Sequence, residues 1–315
     1  MWVSYVNPSQ VVIITGAASG LGAAIAFSFA KLNAGLCITD INTEDLHKTY
    51  IKCQKLSNVK VVEIAGDVRK DEDLENIVKI ALKEFGTIDV LVNCAGIYET
   101  TSLQDSDITE KFDKIVAINL RSIVVLTNKT LPALIENKGC IINISSVCST
   151  LALSGCLVYA LTKAGVAAFT KNAAVELASS GVRVNCISPG PVKTNIFKNE
   201  EISDSEIEQK YHELVENTLL KKFVKAEEIA ELAVYLASDK AASITGSDFI
   251  VDAGMMLATI IVCLSVRLSV CLSGHHMKTI ERISMKIGKV VTYTPGHILG
   301  YFLSRKIRKF PRETG

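Results

Sequence analysis

Tyr159 and Lys163 stand four residues apart, and Ser146 lies thirteen residues before the tyrosine. On a helix that spacing puts the phenol and the ammonium on one face, one turn apart. A phenol titrates near pH ~10 and is a poor base at neutrality. A neighbouring cation stabilises the phenolate and draws that value down, toward the range where an acid or base is useful. A serine hydroxyl close by can donate to an oxygen that gains charge during reaction. The three side chains together suit proton movement at a carbonyl or an alcohol. The pair alone does not specify a reaction; the elements around it must.

Short apolar runs alternate with helical periodicity along most of the chain. Residues 11–15, 34–39, 59–64, 90–93, 140–145, 183–188 and 248–251 read as buried strands. Residues 21–32, 71–85, 109–134, 159–177 and 225–237 carry apolar side chains at three- and four-residue spacing. That alternation predicts an α/β fold, a doubly wound parallel sheet (Rossmann) with helices on both faces. The serine then follows one strand and the tyrosine opens the next helix. Residues 195–222 are polar, charged and helix-prone, and are expected to form a mobile lid over the sheet edge.

The first strand runs into Thr15-Gly16-Ala17-Ala18-Ser19-Gly20-Leu21-Gly22, which opens the first helix. Glycine suits a backbone that must turn tightly, admit a pyrophosphate and let helix pack on strand. The helix N-terminus then offers free N–H groups to phosphate. A plain tight turn is the alternative, and the position between strand and helix speaks against it. Asp40 closes the second strand, where a carboxylate can accept both adenosine ribose hydroxyls. A solvated strand-end acid is the competing reading. The same charge repels a 2′-phosphate, and no Lys or Arg occurs at 17–19 or at Ile41-Asn42. The expected cofactor is NAD, with NADP less favoured.

Composition narrows the class. Of 315 residues, 49% are hydrophobic and 21% charged, as in a globular protein rather than a disordered one. The nine cysteines show no C-x-x-C pair, and Cys140, Cys148 and Cys156 fall in an apolar stretch, which predicts reduced, mostly buried thiols. No metal-ligand spacing occurs; the His275-His276 pair lacks a third ligand nearby. Residues 1–8 hold neither a basic n-region nor a long apolar run, so no secretory signal and a cytoplasmic location are expected.

From about residue 11 to residue 254 the chain resembles a short-chain dehydrogenase/reductase with a single Rossmann domain. The glycine loop is similar to that family's T-G-x-x-x-G-x-G. Asp67-Val68 stands where the family places an acid and an apolar residue around adenine. Asn93-Cys94-Ala95-Gly96 resembles its N-N-A-G, with cysteine in place of the second asparagine. Asn119, Ser146, Tyr159 and Lys163 match its catalytic group, Pro189-Gly190-Pro191-Val192-Lys193-Thr194 its nicotinamide-side segment, and 244–254 its closing strand.

The resemblance implies hydride transfer between nicotinamide and a secondary alcohol or ketone. Tyr159 would pass the proton, Lys163 would lower its pKa and hold the nicotinamide ribose, and Ser146 rather than Ser145 would donate to the substrate oxygen. Asn119 would bend its helix and anchor a water leading from Lys163; an asparagine satisfied by a backbone carbonyl is the alternative. The implied cofactor contacts are Gly16, Ser19, Gly20, Leu21, Gly22, Asp40, Ile41, Asp67, Val68, Asn93, Ala95, Gly96, Tyr159, Lys163, Pro189, Gly190, Val192 and Thr194. For Thr194 a helix N-cap is the competing role. Leu151, Leu153, Ile196 and Phe197 suggest an apolar pocket for a steroid, 3-oxoacyl or small diol substrate, with no Lys or Arg placed for an acid. A homotetramer or homodimer is implied, with no nucleic-acid partner. A nucleotide-binding protein that no longer turns over and an NADP-dependent carbonyl reductase are the other readings.

The net charge of +1 hides an asymmetry: residues 1–254 hold 24 Lys and Arg against 31 Asp and Glu, and residues 255–315 hold 10 against 2. The family pattern ends at Gly254, so 255–315 reads as an atypical extension outside a 9–254 domain. Within it, Cys263-Leu264-Ser265-Val266 and Cys271-Leu272-Ser273 nearly repeat a tetrapeptide that the four-base repeat TGTC encodes. Translated repeat sequence is the first reading. Membrane association through this segment alone is the second, although Arg267 would cost about 2.5–3.5 kcal/mol near a helix centre. The basic end, Arg305-Lys306-Ile307-Arg308-Lys309, could then face anionic lipid.

Overall fold

The computed structural model describes residues 10–259 except residue 201. Valine and isoleucine, stiff at χ1 and well suited to a pleated surface, dominate its interior strands. These are β1 (Val11–Thr15), β2 (Gly35–Asp40), β3 (Val61–Ala65), β4 (Val90–Asn93), β5 (Cys140–Ile144), β6 (Arg183–Pro189) and β7 (Asp248–Val251). They pair in parallel in the order β3-β2-β1-β4-β5-β6-β7. Every residue of β1, β4 and β5 is buried, as a sheet covered on both faces requires. β1 turns Val12 and Ile14 toward one apolar cluster and Ile13 toward the other.

The helices are α1 (Gly20–Lys31), α2 (Thr43–Leu56), α3 (Asp71–Phe85), α4 (Ile108–Val116), α5 (Ser122–Glu136), α6 (Leu157–Leu177), α7 (Asp204–Glu216) and α8 (Ala226–Ala237). α1, α2 and α8 cover the first face; α3, α5 and α6 cover the second. Fully buried side chains such as Phe29, Ile25 and Leu74 each contribute about 2–3 kcal/mol of apolar burial. Arg183 donates to the carbonyls of Leu236 at 2.7 Å and Ser238 at 3.3 Å, satisfying orphan groups at the end of α8.

The doubly wound parallel sheet is the one the alternation predicts. Two elements differ from expectation. The helix expected over 109–134 is broken into α4 and α5 by one wide π turn, Ala117–Arg121. α2 was not foreseen, because only Leu46, Thr49 and Cys53 of its fourteen residues are buried and its periodicity is thin. Asn42 starts it by accepting from the Asp45 N–H at 3.1 Å. Within the segment expected as a lid, α7 begins with a reciprocal Ser203–Glu206 capping box.

β1 and β4 are sheet neighbours, yet the chain leaves β1 toward β2 on one side and β4 toward β5 on the other. That reversal opens a crevice at the carboxyl ends of the strands. Among the described residues no helix is long and apolar enough to cross a membrane. No group of three or more His, Cys, Asp or Glu among them could hold a metal. The tetrapeptide repeat, His275-His276 and the basic end lie outside the described residues.

Candidate active site

The loop from β1 to α1 is compact because its glycines admit backbone at close range. A Cβ on Gly22 would lie 2.1 Å from the Gly16 carbonyl oxygen, and one on Gly16 would lie 2.7 Å from Ala95 Cα. Gly16 and Gly20 also adopt φ of +68° and +53°, which side chains disfavour. Ser19 is the N-cap of α1 but its hydroxyl makes no capping bond, so it leaves the first N–H groups to another acceptor. A dinucleotide pyrophosphate fits that uncapped helix start. Thr15 Oγ1 accepts from both Cys94 N–H and Ala95 N–H at 3.1 Å, joining this loop to the end of β4.

Asp40 carries two backbone bonds, from Ala18 N–H at 3.0 Å and Asn42 N–H at 2.9 Å. Its carboxylate therefore holds the glycine loop as well as facing the crevice edge, where Ile41 is 64% exposed. Asp67 accepts both Nε and a terminal nitrogen of Arg69, at 2.9 and 2.6 Å. The Arg69 bonds hold the Asp67 carboxyl below its ordinary range. Val68 beside it is buried. The sequence offered no sign of this pairing.

At β4 the structure separates residues that the sequence grouped together. Ala95 and Gly96 border the crevice. Asn93 turns inward and donates to Asn143 Oδ1 at 2.8 Å; Asn143 in turn donates to Thr170 Oγ1 of α6 at 2.9 Å. A buried amide must be partnered, and this chain ties β4 to β5 and α6.

The catalytic candidates converge. Tyr159 and Lys163 share a buried face of α6, and Ser146 follows β5 with its hydroxyl accepting from the Cys148 N–H at 3.2 Å. Ser145 is committed elsewhere, donating to the Lys163 carbonyl at 2.8 Å. Lys163 Nζ donates to the Ile144 carbonyl at 2.9 Å and lies 5.6 Å from the Tyr159 ring centre. Burial pushes the phenol above its ordinary value, the Cys148 sulfur adds to that rise, and the Ser146 bond opposes it. Burial also pulls the Lys163 ammonium down. The phenol thus lies above its ordinary value rather than below it in this state, because its enclosure disfavours the charged form.

Asn119 sits fully buried in the π turn. Its Oδ1 accepts from Ile97 N–H at 2.9 Å, and its Nδ2 donates to Ile97 O at 2.9 Å and Thr162 Oγ1 at 3.4 Å. A side chain at Gly96 would come within 3.4 Å of Asn119 Oδ1 and 3.5 Å of Lys163 Nζ, so glycine leaves that space open. Of the nicotinamide-side residues, Pro189 ends β6. Gly190 approaches Asp252 so closely that a Cβ would meet its Cα at 2.6 Å. Val192 is buried and bridges to Val224. The Thr194 backbone exchanges bonds with the Tyr211 hydroxyl and its Oγ1 accepts from Ile196 N–H at 3.3 Å, while Asn195 and not Thr194 is the N-cap of the short turn that follows.

A family model described as enoyl-(acyl carrier protein) reductase matches residues 16–256. The chain belongs to the short-chain dehydrogenase/reductase family. It is 35% identical over 252 residues to dehydrogenase/reductase SDR family member 6 of Aquarana catesbeiana, covering 79% of this chain and 98% of that one. With a 3-oxoacyl-(acyl-carrier-protein) reductase of Staphylococcus epidermidis it shares 31% identity over 78% of this chain and 98% of the relative. A Caenorhabditis elegans short-chain dehydrogenase/reductase of unknown function, solved with cofactor, superposes with a TM-score of 0.74 at 31% identity, covering 81% and 97%. A Brucella melitensis 3-ketoacyl-(acyl-carrier-protein) reductase complexed with NADH gives 0.70 at 29%, covering 78% and 98%. L-Sorbose reductase of Gluconobacter frateurii, complexed with NADPH and L-sorbose, gives 0.71 at 30%, covering 78% and 96%.

In this short-chain dehydrogenase/reductase the space before Tyr159 is walled by Phe197, as the sequence suggested, and by Tyr98 and Tyr211, which it did not reveal. Tyr98 meets Tyr159 edge-on at 5.3 Å, Phe197 meets Tyr98 at 5.1 Å, and Tyr211 meets Phe197 at 5.0 Å. Glu200, nearly buried, accepts from Thr100 N–H at 2.9 Å and pairs with Lys210 of α7, tying that helix to the loop after β4. Lys210 also lies 5.6 Å from the Phe197 ring centre. A cation does lie near the pocket, and its pairing with Glu200 leaves it unplaced for an acid substrate, in line with the expectation. Only adjacency in space reveals such a pair, since Thr100, Glu200 and Lys210 carry no shared motif.

Proposed function

We propose that this short-chain dehydrogenase/reductase is an NAD-dependent oxidoreductase that interconverts a secondary alcohol and a ketone. The observation that carries the reading is that Tyr159 and Lys163 share a buried face of α6, with Lys163 Nζ held on the Ile144 carbonyl and Ser146 just beyond β5, at the mouth of the sheet's switch-point crevice. Nicotinamide dinucleotide, when bound, supplies the hydride chemistry. Tyr159 gives a proton to the substrate oxygen in reduction and takes it in oxidation. Ser146 donates to that oxygen as charge develops. Lys163 holds the nicotinamide ribose, and its proton is replaced through the space that Gly96 and Asn119 keep open.

The preference for NAD rests on Asp40. Its carboxylate faces the crevice edge and would repel a 2′-phosphate, with no cation at 17–19 or 41–42 to offset it. The aromatic wall of Tyr98 and Phe197 supports an apolar carbonyl substrate of the steroid, 3-oxoacyl or small diol kind. Leu161 and Val175, 51% and 81% exposed on α6, support a homodimer or homotetramer. A cytoplasmic location is supported by the seven described cysteines, all unpaired.

A panel of ketones and secondary alcohols, followed by NADH absorbance, tests the reading. Turnover is expected with NADH in preference to NADPH. Tyr159→Phe is expected to lower kcat by about 10²–10⁴-fold while NADH still quenches protein fluorescence as in the wild type. Turnover kept by that variant would remove the phenol from the mechanism.

A further inference from the structure

Glu200 is a carboxylate in a place where carboxylates stay only when partnered. Its side chain is 6% exposed, in the segment between Phe197 and α7. One oxygen accepts from the Thr100 N–H at 2.9 Å and from the Thr100 hydroxyl, and the other accepts from Lys210 Nζ of α7. Lys210 Nζ also reaches Thr100 Oγ1 at 3.5 Å. A cation, a hydroxyl and a backbone N–H thus converge on one pair of oxygens. That set is what an enclosed carboxylate requires.

The set belongs to the wall that faces Tyr159. Lys210 Nζ is 5.6 Å from the Phe197 ring centre and 5.9 Å from that of Tyr98, and Tyr98 meets Tyr159 edge-on at 5.3 Å. Thr101, next to Thr100, accepts from the Val158 N–H at 3.0 Å through its hydroxyl, in the first turn of the helix that carries Tyr159. By contrast, Lys193 and Glu208 pair at 2.6 Å with both side chains exposed. An exposed pair is screened by solvent, whereas an enclosed one fixes the charge that an incoming group meets.

We propose that Glu200 is a specificity-determining residue: it fills a carboxylate subsite on the substrate wall, so that the enzyme takes neutral ketones and alcohols and rejects those bearing an acid group. The subsite stands apart from the reaction, while its effect on substrate choice rests on the reading of the chain as a carbonyl oxidoreductase. A substrate carboxylate that reaches this wall finds Lys210 already neutralised and the Glu200 charge beside it. Displacing Glu200 would strip an enclosed carboxylate of its three partners. The resident charge is thus a repulsive element, and repulsion is one way a site discriminates between close competitors. Removing that charge inverts the preference, because Lys210 and the Thr100 hydroxyl are then left short of an acceptor that an incoming carboxylate supplies.

The test compares oxo acids with their methyl esters, at matched chain length and with NADH, in the full chain. The quantity read is the ratio of kcat/KM for acid to that for ester, because a general loosening of the segment weakens both alike. The wild type is expected to favour the ester. Glu200→Gln, which keeps an acceptor for the Thr100 N–H, is expected to raise the ratio by about tenfold or more, as is Glu200→Ala. Adding Lys210→Met to either is expected to return it toward the wild-type value. Glu208→Gln removes an exposed charge from the same helix and is expected to leave the ratio within about twofold. An unchanged ratio in Glu200→Gln, or an equal rise in Glu208→Gln, would overturn the role of Glu200; where Glu200→Ala does not fold, Glu200→Gln decides. A second measurement needs no turnover: thermal melting in sodium acetate against sodium chloride of the same concentration. Acetate is expected to raise the Tm of Glu200→Ala and to leave the wild type and Glu200→Ala/Lys210→Met where chloride leaves them. The same acetate response in all three would overturn the subsite. A response confined to Glu200→Ala, with no turnover of any acid or ester, would uphold the subsite and overturn the reading of the reaction instead.

Discussion

Tyr159 and Lys163 are moved in opposite directions by the same cause. Enclosure disfavours charge on either group, so the phenol goes up and the ammonium comes down. The sign of the pH dependence follows. In reduction the phenol must be protonated, and a raised value keeps it so across neutral and mildly alkaline pH. In oxidation the phenolate is needed, so its scarcity limits the rate until pH approaches the raised value. We expect kcat for reduction to stay flat through that range while kcat for oxidation climbs up to about tenfold per pH unit. Rates in both directions at saturating cofactor would check this; an oxidation rate that falls as pH rises would contradict the assignment of Tyr159 as base.

Among the elements, the π turn between α4 and α5 does the most to shape the site. It lets Asn119 turn its whole amide onto the Ile97 backbone, bracing the loop that follows β4. Asn119→Ala would leave the half-buried Ile97 N–H and carbonyl without these partners. Each unmade bond costs about 1–3 kcal/mol, so unfolding in urea should show a loss of roughly 2–5 kcal/mol together with weaker turnover. A variant as stable as the wild type would mean that Ile97 finds other partners. The apolar periodicity over 109–134 does not show this break, because a single wide turn shifts the pattern by only one residue; only the family resemblance pointed to a bend at Asn119.

At the scale of the molecule, the sheet and both helical layers are complete by residue 251. The family match ends at residue 256, and 79% of this chain covers 98% of its Aquarana catesbeiana relative. A chain ending at Ala258 is therefore expected to bind NADH and to turn over within about twofold of the full chain. Light scattering on both forms should report a dimer or tetramer. Loss of activity on shortening would give residues 259–315 a part in the fold or the site. A monomeric mass in both would remove the assembly proposal.

The sequence alone determined the sheet, the glycine loop and the Tyr159–Lys163 helix face, since each is a local pattern with the period of its own backbone. Chain-order motifs also placed Ser146, Asp40 and Gly96 near one crevice, because in a doubly wound sheet every strand ends on the same edge. Only the tertiary structure tied Ser145 to the Lys163 carbonyl, turned Asn93 inward to Asn143, and set Arg69 on Asp67. It alone reversed the direction of the phenol's shift and brought Tyr98 against Tyr159 and Cys156. Desolvation and side-chain bonding sum over neighbours from segments far apart in the chain, and no spacing within one segment encodes that sum.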